Sequence, residues 1–192
     1  MLTFEEIWKF TDTVGIWSTF QKHEAELFYQ ALSMIPEKST VVEIGCEFGR
    51  STSILAQAAK ERGHRLTLID PFVDSNQNPV PGMTSIKSCI NMLCQVAAPF
   101  TLHCMKTKEV PLQDLPSQID FLHIDGDHRK EALSYDLYNV ANGVKEGGFL
   151  ACHDYDPAGT CPDVFPTLNE FVALGGWTKF GYVGGLGVWR RE

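Results

Sequence analysis

Glu43-Ile44-Gly45-Cys46-Glu47-Phe48-Gly49-Arg50-Ser51-Thr52 is the stretch on which the reading of this chain turns. The apolar run Thr40 to Ile44 before it has the length and β-branching of a buried strand. After it, Ile54, Leu55, Ala58 and Ala59 mark one face of a helix over 51–62, with Gly63 suited to its C-terminal cap. A strand and a helix are therefore joined by a turn holding two glycines, where backbone can bend sharply and a ligand can approach closely. A dinucleotide fingerprint would need glycine where Glu47 and Arg50 stand, and a P-loop would need lysine at Arg50. What remains is a turn with no ligand, or one for a cofactor that lacks phosphates and carries a cationic amino-acid portion. In the second reading Glu43 attracts an ammonium or sulfonium group, and the helix-start amides meet a carboxylate.

Outward from this turn, short apolar runs alternate with helical periods. Strands are expected at 65–70, 100–105, 119–124 and 148–152, with helices at 85–97 and around Leu133, Leu137, Val140 and Ala141. Leu27, Phe28, Ala31, Leu32 and Ile35 give an earlier helix face within an N-terminal helical segment, 1–36, that stops at Pro36. At the other end, 180–183 and 186–189 flank Gly184-Gly185, the signature of an antiparallel hairpin. The sum is one α/β domain over 1–192 with a seven-stranded, mainly parallel sheet, helices on both faces and a C-terminal hairpin. The segment 71–82, with three prolines and no periodicity, reads as a long surface loop and a candidate lid.

Composition narrows the partners. A net charge of −8 with scattered basic residues argues against nucleic-acid binding, which needs a basic surface. No apolar stretch approaches a membrane span, and Met1 to Glu6 lacks the basic and apolar regions of a signal peptide. Six cysteines without a C-x-x-C pair read as reduced thiols, so a cytoplasmic location is expected.

Three acidic strand ends carry the remaining chemistry. Asp70 closes the second strand, where a carboxylate can accept ribose hydroxyls. Phe121-Leu122-His123-Ile124-Asp125-Gly126-Asp127-His128 ends a strand in carboxylates and an imidazole, and Phe149-Leu150-Ala151-Cys152-His153-Asp154-Tyr155 repeats the arrangement. Adjacent parallel strands would bring Asp125 and Asp154 to the edge that holds the glycine turn. Gathered carboxylates need a cation or protons to compensate them; a cation would be Mg²⁺ by hardness, or Mn²⁺ or Fe²⁺ given the imidazole of His153. His128 is the candidate general base, with Asp127 as its orienting group or a spare ligand.

Glu43-x-Gly45-x-x-x-Gly49 resembles the first motif of class I S-adenosylmethionine-dependent methyltransferases. Its Gly-x-Ser-Thr continuation is similar to the small-molecule O-methyltransferase group that includes catechol and caffeoyl-CoA O-methyltransferase-like proteins. The resemblance implies a Rossmann-like fold and S-adenosylmethionine as cofactor, bound at Glu43, Gly45, Cys46, Glu47, Gly49, Ser51, Thr52, Asp70 and Asp125. It also implies a metal on Asp125, His153 and Asp154, with Asp125 and His128 catalytic. Two departures stand out: histidine at 128 replaces the group's lysine, and His153-Asp154 replaces the usual Asp-Asn. The expected partner is a small-molecule methyl acceptor, with a second copy of the chain left open. A non-catalytic S-adenosylmethionine or S-adenosylhomocysteine binder and a metal-dependent Rossmann enzyme of another class are the rival readings.

Overall fold

The computed structural model describes residues 2–14, 16, 18–73 and 84–192. Helices α1 (Phe4–Thr13) and α2 (Lys22–Met34) precede strand β1 (Thr40–Ile44). Then follow α3 (Arg50–Arg62), β2 (Arg65–Ile69), α4 (Ser85–Val96), β3 (Phe100–His103), β4 (Ile119–Ile124) and α5 (Lys130–Asn139). The chain closes with β5 (Val144–Cys152), α6 (Val164–Val172), β6 (Trp177–Val183) and β7 (Leu186–Arg191). The strands form one sheet in the order β3-β2-β1-β4-β5-β7-β6, parallel except for β7, which runs antiparallel to both β5 and β6.

Alternation along the strands explains the two cores. Val41, Leu68, Phe121 and Phe149 face α1 to α4, while Val42, Ile69, Leu122 and Leu150 face α5 and α6. Each central strand is buried on both sides, which is why it reads as a continuous apolar run. The expected seven strands, the hairpin and the Gly63 cap, with φ 69°, all appear.

Three features differ from the sequence reading. Strand β5 begins at Val144 rather than 148, because Val144 pairs with Ile119 before the register shifts. Helix α5 ends at Asn139, and Gly143 instead closes a single 3₁₀ turn. Helix α6 was not expected, since Pro166 lies inside it; the proline sits in the first turn, where no backbone donor is needed. The candidate lid falls at residues 74–83 outside the described residues, leaving only Pro71 to Val73 in view.

The sheet order reverses between β1 and β4, since the chain runs outward from β1 through β2 and β3 and then returns to β4. That switch point, beyond the carboxyl ends of the strands, is where ligands bind in open α/β sheets. Ile44 pairs with Ile124 and Ile124 with Cys152, so Gly45, Asp125 and His153 leave the sheet side by side.

Candidate functional site at the carboxyl edge of the sheet

The glycine turn is built against its neighbour strand. Gly45 takes φ 87°, and a Cβ there would stand 2.1 Å from the carbonyl oxygen of Asp125. No other residue fits without moving β4. Gly49 takes φ 97° at the N-cap of α3, packed on Cys89 and Met92 of α4. Glu47 holds a left-handed φ of 46°, the position where a second glycine would be expected. Burial, together with the charges of Asp125 and Asp70, raises its carboxyl to about 7.

Three of the proposed cofactor residues turn out to face inward. Glu43 is fully buried, and its two oxygens accept from Ser51 Oγ and Thr52 Oγ1, each at 2.6 Å. His123 Nδ1 lies 3.0 Å from Glu43 Oε1, directly across the β1–β4 pairing. Glu43, Ser51 and Thr52 are buried and shape the turn from beneath.

Asp70 is also engaged but not exhausted. Its Oδ2 accepts from the amides of Cys46 and Glu47 at 2.6 and 2.8 Å, and Oδ1 accepts from Phe72. Oδ1 keeps a lone pair for a ribose hydroxyl. Asp70 thus ties the end of β2 to the glycine turn. Cys46 contributes backbone only, its side chain being buried against Cys89.

Asp125, His128, His153 and Asp154 do converge. His128 Nε2 stands 3.4 Å from Asp125 Oδ1 and 3.0 Å from Asp154 Oδ2. His153 Nδ1 stands 3.4 and 3.5 Å from the same two oxygens. Asp154 reaches this position through a left-handed backbone, φ 55°, uncommon for a residue with a side chain. Asp127 is turned away and grips Arg129, so it neither orients His128 nor joins the cluster.

Charge at the cluster is strongly polarised. Burial opposes a charged His128, yet hydrogen bonds to Asp125 and Asp154 carry it up to about 10. Burial likewise opposes charging of His153, and the charge of Asp125 with the facing carboxylates of Asp154 and Glu24 raises it to about 12. Burial pushes Asp125 up, but the His153 charge and His128 hydrogen bond outweigh it and hold the carboxyl well below its usual range. The facing imidazoles of His128 and His153 lower Asp154 in the same sense. In the ion-free cluster the two carboxylates therefore favour the charged form of His128.

Glu24 is the residue that sequence reasoning missed. Its Oε2 lies 3.4 Å from His153 Nε2 and accepts the Gln21 amide at 2.7 Å, while Oε1 accepts from the Gly185 amide at 2.6 Å. Burial raises its carboxyl, but these hydrogen bonds win and keep it ionised. Gln21-x-x-Glu24 is visible as a helix-start capping pair, but its link to a histidine 129 positions away is not. Phe20 packs on the His153 ring at 5.3 Å, and Trp8 is buried in the core. Trp17 lies outside the described residues.

This geometry has known counterparts. A family model described as a methyltransferase domain matches residues 42–155, and the chain belongs to that family. Its Rossmann-like fold is that of class I S-adenosylmethionine-dependent O-methyltransferases. CalS11, a TDP-rhamnose 3'-O-methyltransferase of calicheamicin biosynthesis, superposes with TM-score 0.64 at 13% identity, covering 97% of this chain and 92% of its own. The O-methyltransferase TomG of Streptomyces achromogenes, solved with S-adenosylmethionine, gives 0.62 at 14%, over 98% and 88%. A Bacillus cereus O-methyltransferase holding S-adenosylhomocysteine gives 0.61 at 16%, over 98% and 90%. Among curated sequences, the uncharacterized protein R132 of Acanthamoeba polyphaga mimivirus is 28% identical over 166 residues, 81% of this chain and 69% of R132. No helix among the described residues is long and apolar enough to cross a membrane.

Proposed function

We propose that this chain transfers the methyl group of S-adenosylmethionine to an oxygen of a small molecule, with a divalent cation held by Asp125, His153 and Asp154. One observation carries the reading. The glycine turn packs directly on the backbone of Asp125, so a donor on the turn and an acceptor at the carboxylate cluster share one crevice. The O-methyltransferase names of the neighbouring structures support the same chemistry.

The donor set fits a cation. Ligand atoms of Asp125, His153 and Asp154 lie within 4.8 Å of one another. His153 is 4% exposed, and its Nδ1 has no hydrogen-bond partner although it points at both carboxylates. A buried polar atom left in this way is costly unless something bridges it. The sulfonium would supply an activated methyl group, and the cation a Lewis acid that lowers the pKa of an acceptor hydroxyl.

The protein's own work is positioning. Asp70 Oδ1 receives a ribose hydroxyl, and the free amides at the start of α3 receive the amino-acid carboxylate. Glu47, next to Asp70 and Asp125, gives the turn a negative face for the ammonium group. Asp125 and Asp154 fix the acceptor oxygen relative to the methyl group, where correct orientation accounts for much of the rate.

The test pairs binding with turnover. S-adenosylhomocysteine is expected to bind in calorimetry, and methyl transfer to a panel of phenols, catechols and sugars is expected to stop with chelator or in Asp125→Asn. No binding up to millimolar concentration overturns the donor assignment. Transfer that survives both chelator and Asp125→Asn overturns the cation.

A further inference from the structure

The cluster contains a regularity that three ligands leave unused. Asp125 Oδ1, His128 Nε2, Asp154 Oδ2 and His153 Nδ1 form a closed ring with edges of 3.4, 3.0, 3.5 and 3.4 Å. Neighbouring donors on a first-row divalent ion, with bonds of about 2.1 Å, stand about 3.0 Å apart at right angles and about 3.4 Å apart in a tetrahedron. Carboxylate and imidazole alternate around the ring, so each donor touches only unlike neighbours.

His153 is aimed between the carboxylates rather than at either one. Its Nδ1 is nearly equidistant from both oxygens and makes a hydrogen bond to neither. Glu24 accounts for that posture. Held ionised by the Gln21 and Gly185 amides, it can only accept, so the His153 proton sits on Nε2. Once the ring gives up its second proton to an incoming cation, the nitrogen facing the cluster is the one left to offer a lone pair. A carboxylate behind a histidine in this way is the usual support of a metal-bound imidazole.

We propose that His128 is the fourth ligand of this ring, and that the ring selects a first-row transition ion of the Zn²⁺, Co²⁺ or Fe²⁺ class over Mg²⁺. The proposal rests on the cation site of the methyltransferase reading and changes both its ligand number and its metal. Two imidazoles among four donors suit these ions, whereas Mg²⁺ prefers oxygen and parts with its water reluctantly. Cys161 adds a soft donor at the rim, its Sγ within 4.8 Å of the His128 and Asp154 ligand atoms. Cation binding would displace the ring protons, and the His128 lone pair would then serve the ion instead of a substrate proton. The histidine standing where the related group carries lysine thereby gains a role of its own.

Chelator-treated full-length protein, titrated with Zn²⁺, Co²⁺ and Mg²⁺ and followed by calorimetry and zinc X-ray absorption, tests this. One equivalent of Zn²⁺ or Co²⁺ is expected to bind at least about tenfold more tightly than Mg²⁺. Outer-shell scattering should count two imidazoles in the native protein and one in His128→Gln, with zinc affinity falling by about tenfold or more. S-adenosylhomocysteine binding by the variant checks that it is folded. His128→Glu, which keeps a ligand but removes an imidazole, should move the preference toward Mg²⁺. Equal affinity for Mg²⁺, or two imidazoles still present in His128→Gln, overturns the proposal. So does the absence of uptake of any ion, which means that protons alone compensate the ring. If S-adenosylhomocysteine still binds in that case, the donor assignment stands while the cation falls.

Discussion

Two regions of the same sheet edge satisfy buried carboxylates in opposite ways. Beneath the glycine turn, Glu43 and Asp70 are met largely by neutral donors: the hydroxyls of Ser51 and Thr52 and the amides of Cys46, Glu47 and Phe72. At the ends of β4 and β5, Asp125 and Asp154 are met by two imidazoles that must carry charge to do it. The first arrangement is permanent architecture, because amides and hydroxyls cannot leave. The second is replaceable, since an external cation can take over from two protons. An acidic residue at a strand end is therefore informative only once its partners are known.

The strongest way to break the turn is Gly45→Ala. With φ 87° and a carbonyl 2.1 Å from the new methyl group, destabilisation above about 3 kcal/mol in urea unfolding is expected. S-adenosylhomocysteine affinity should fall with it. Glu43→Gln comes next, keeping shape but removing the charge-assisted acceptor for Ser51, Thr52 and His123. A loss of about 1–3 kcal/mol is expected, with zinc binding at the rim unchanged. If zinc binding were lost as well, the two regions would not be separable.

A further test is one of pH. His128 and His153 are raised to about 10 and about 12 from an ordinary 6.5, so their stabilisation is full below pH 6.5 and lost as pH climbs through the folded values. Asp125 and Asp154 are depressed, and their contribution is lost only on the acid side, as pH falls through their lowered values. The metal-free protein should thus weaken gradually between about pH 6.5 and 10, seen as a falling urea midpoint. His128→Gln should flatten that slope, and so should saturating zinc. A slope unchanged by both would mean that the imidazole–carboxylate ring contributes nothing to folding.

Much of this was legible in the chain. Short apolar runs located the central strands β1, β2, β4 and β5, because strands buried on both faces leave the same mark in each. The glycine turn, Asp125 and Asp154 were placed together because neighbouring parallel strands end at one edge. Helix α6 escaped notice because a proline in a first turn looks the same in sequence as one that breaks a helix. The inward posture of Glu43 depends on pairing with His123, 80 positions on, and register across a crossover is not written locally. Glu24 was hidden for the same reason, its partner His153 lying 129 positions on.

Glu24 has a consequence for the order of assembly. It begins a helix before the first strand, yet its Oε1 is met by Gly185, 161 positions later. Contacts of such span close late, since the entropy of a long loop must be overcome before they return any stability. The orientation of His153 therefore waits on the hairpin, and with it the readiness of the whole ring. A chain with only its central strands in place would already hold the glycine turn, while His153 still lacked the Glu24 carboxylate that sets its orientation.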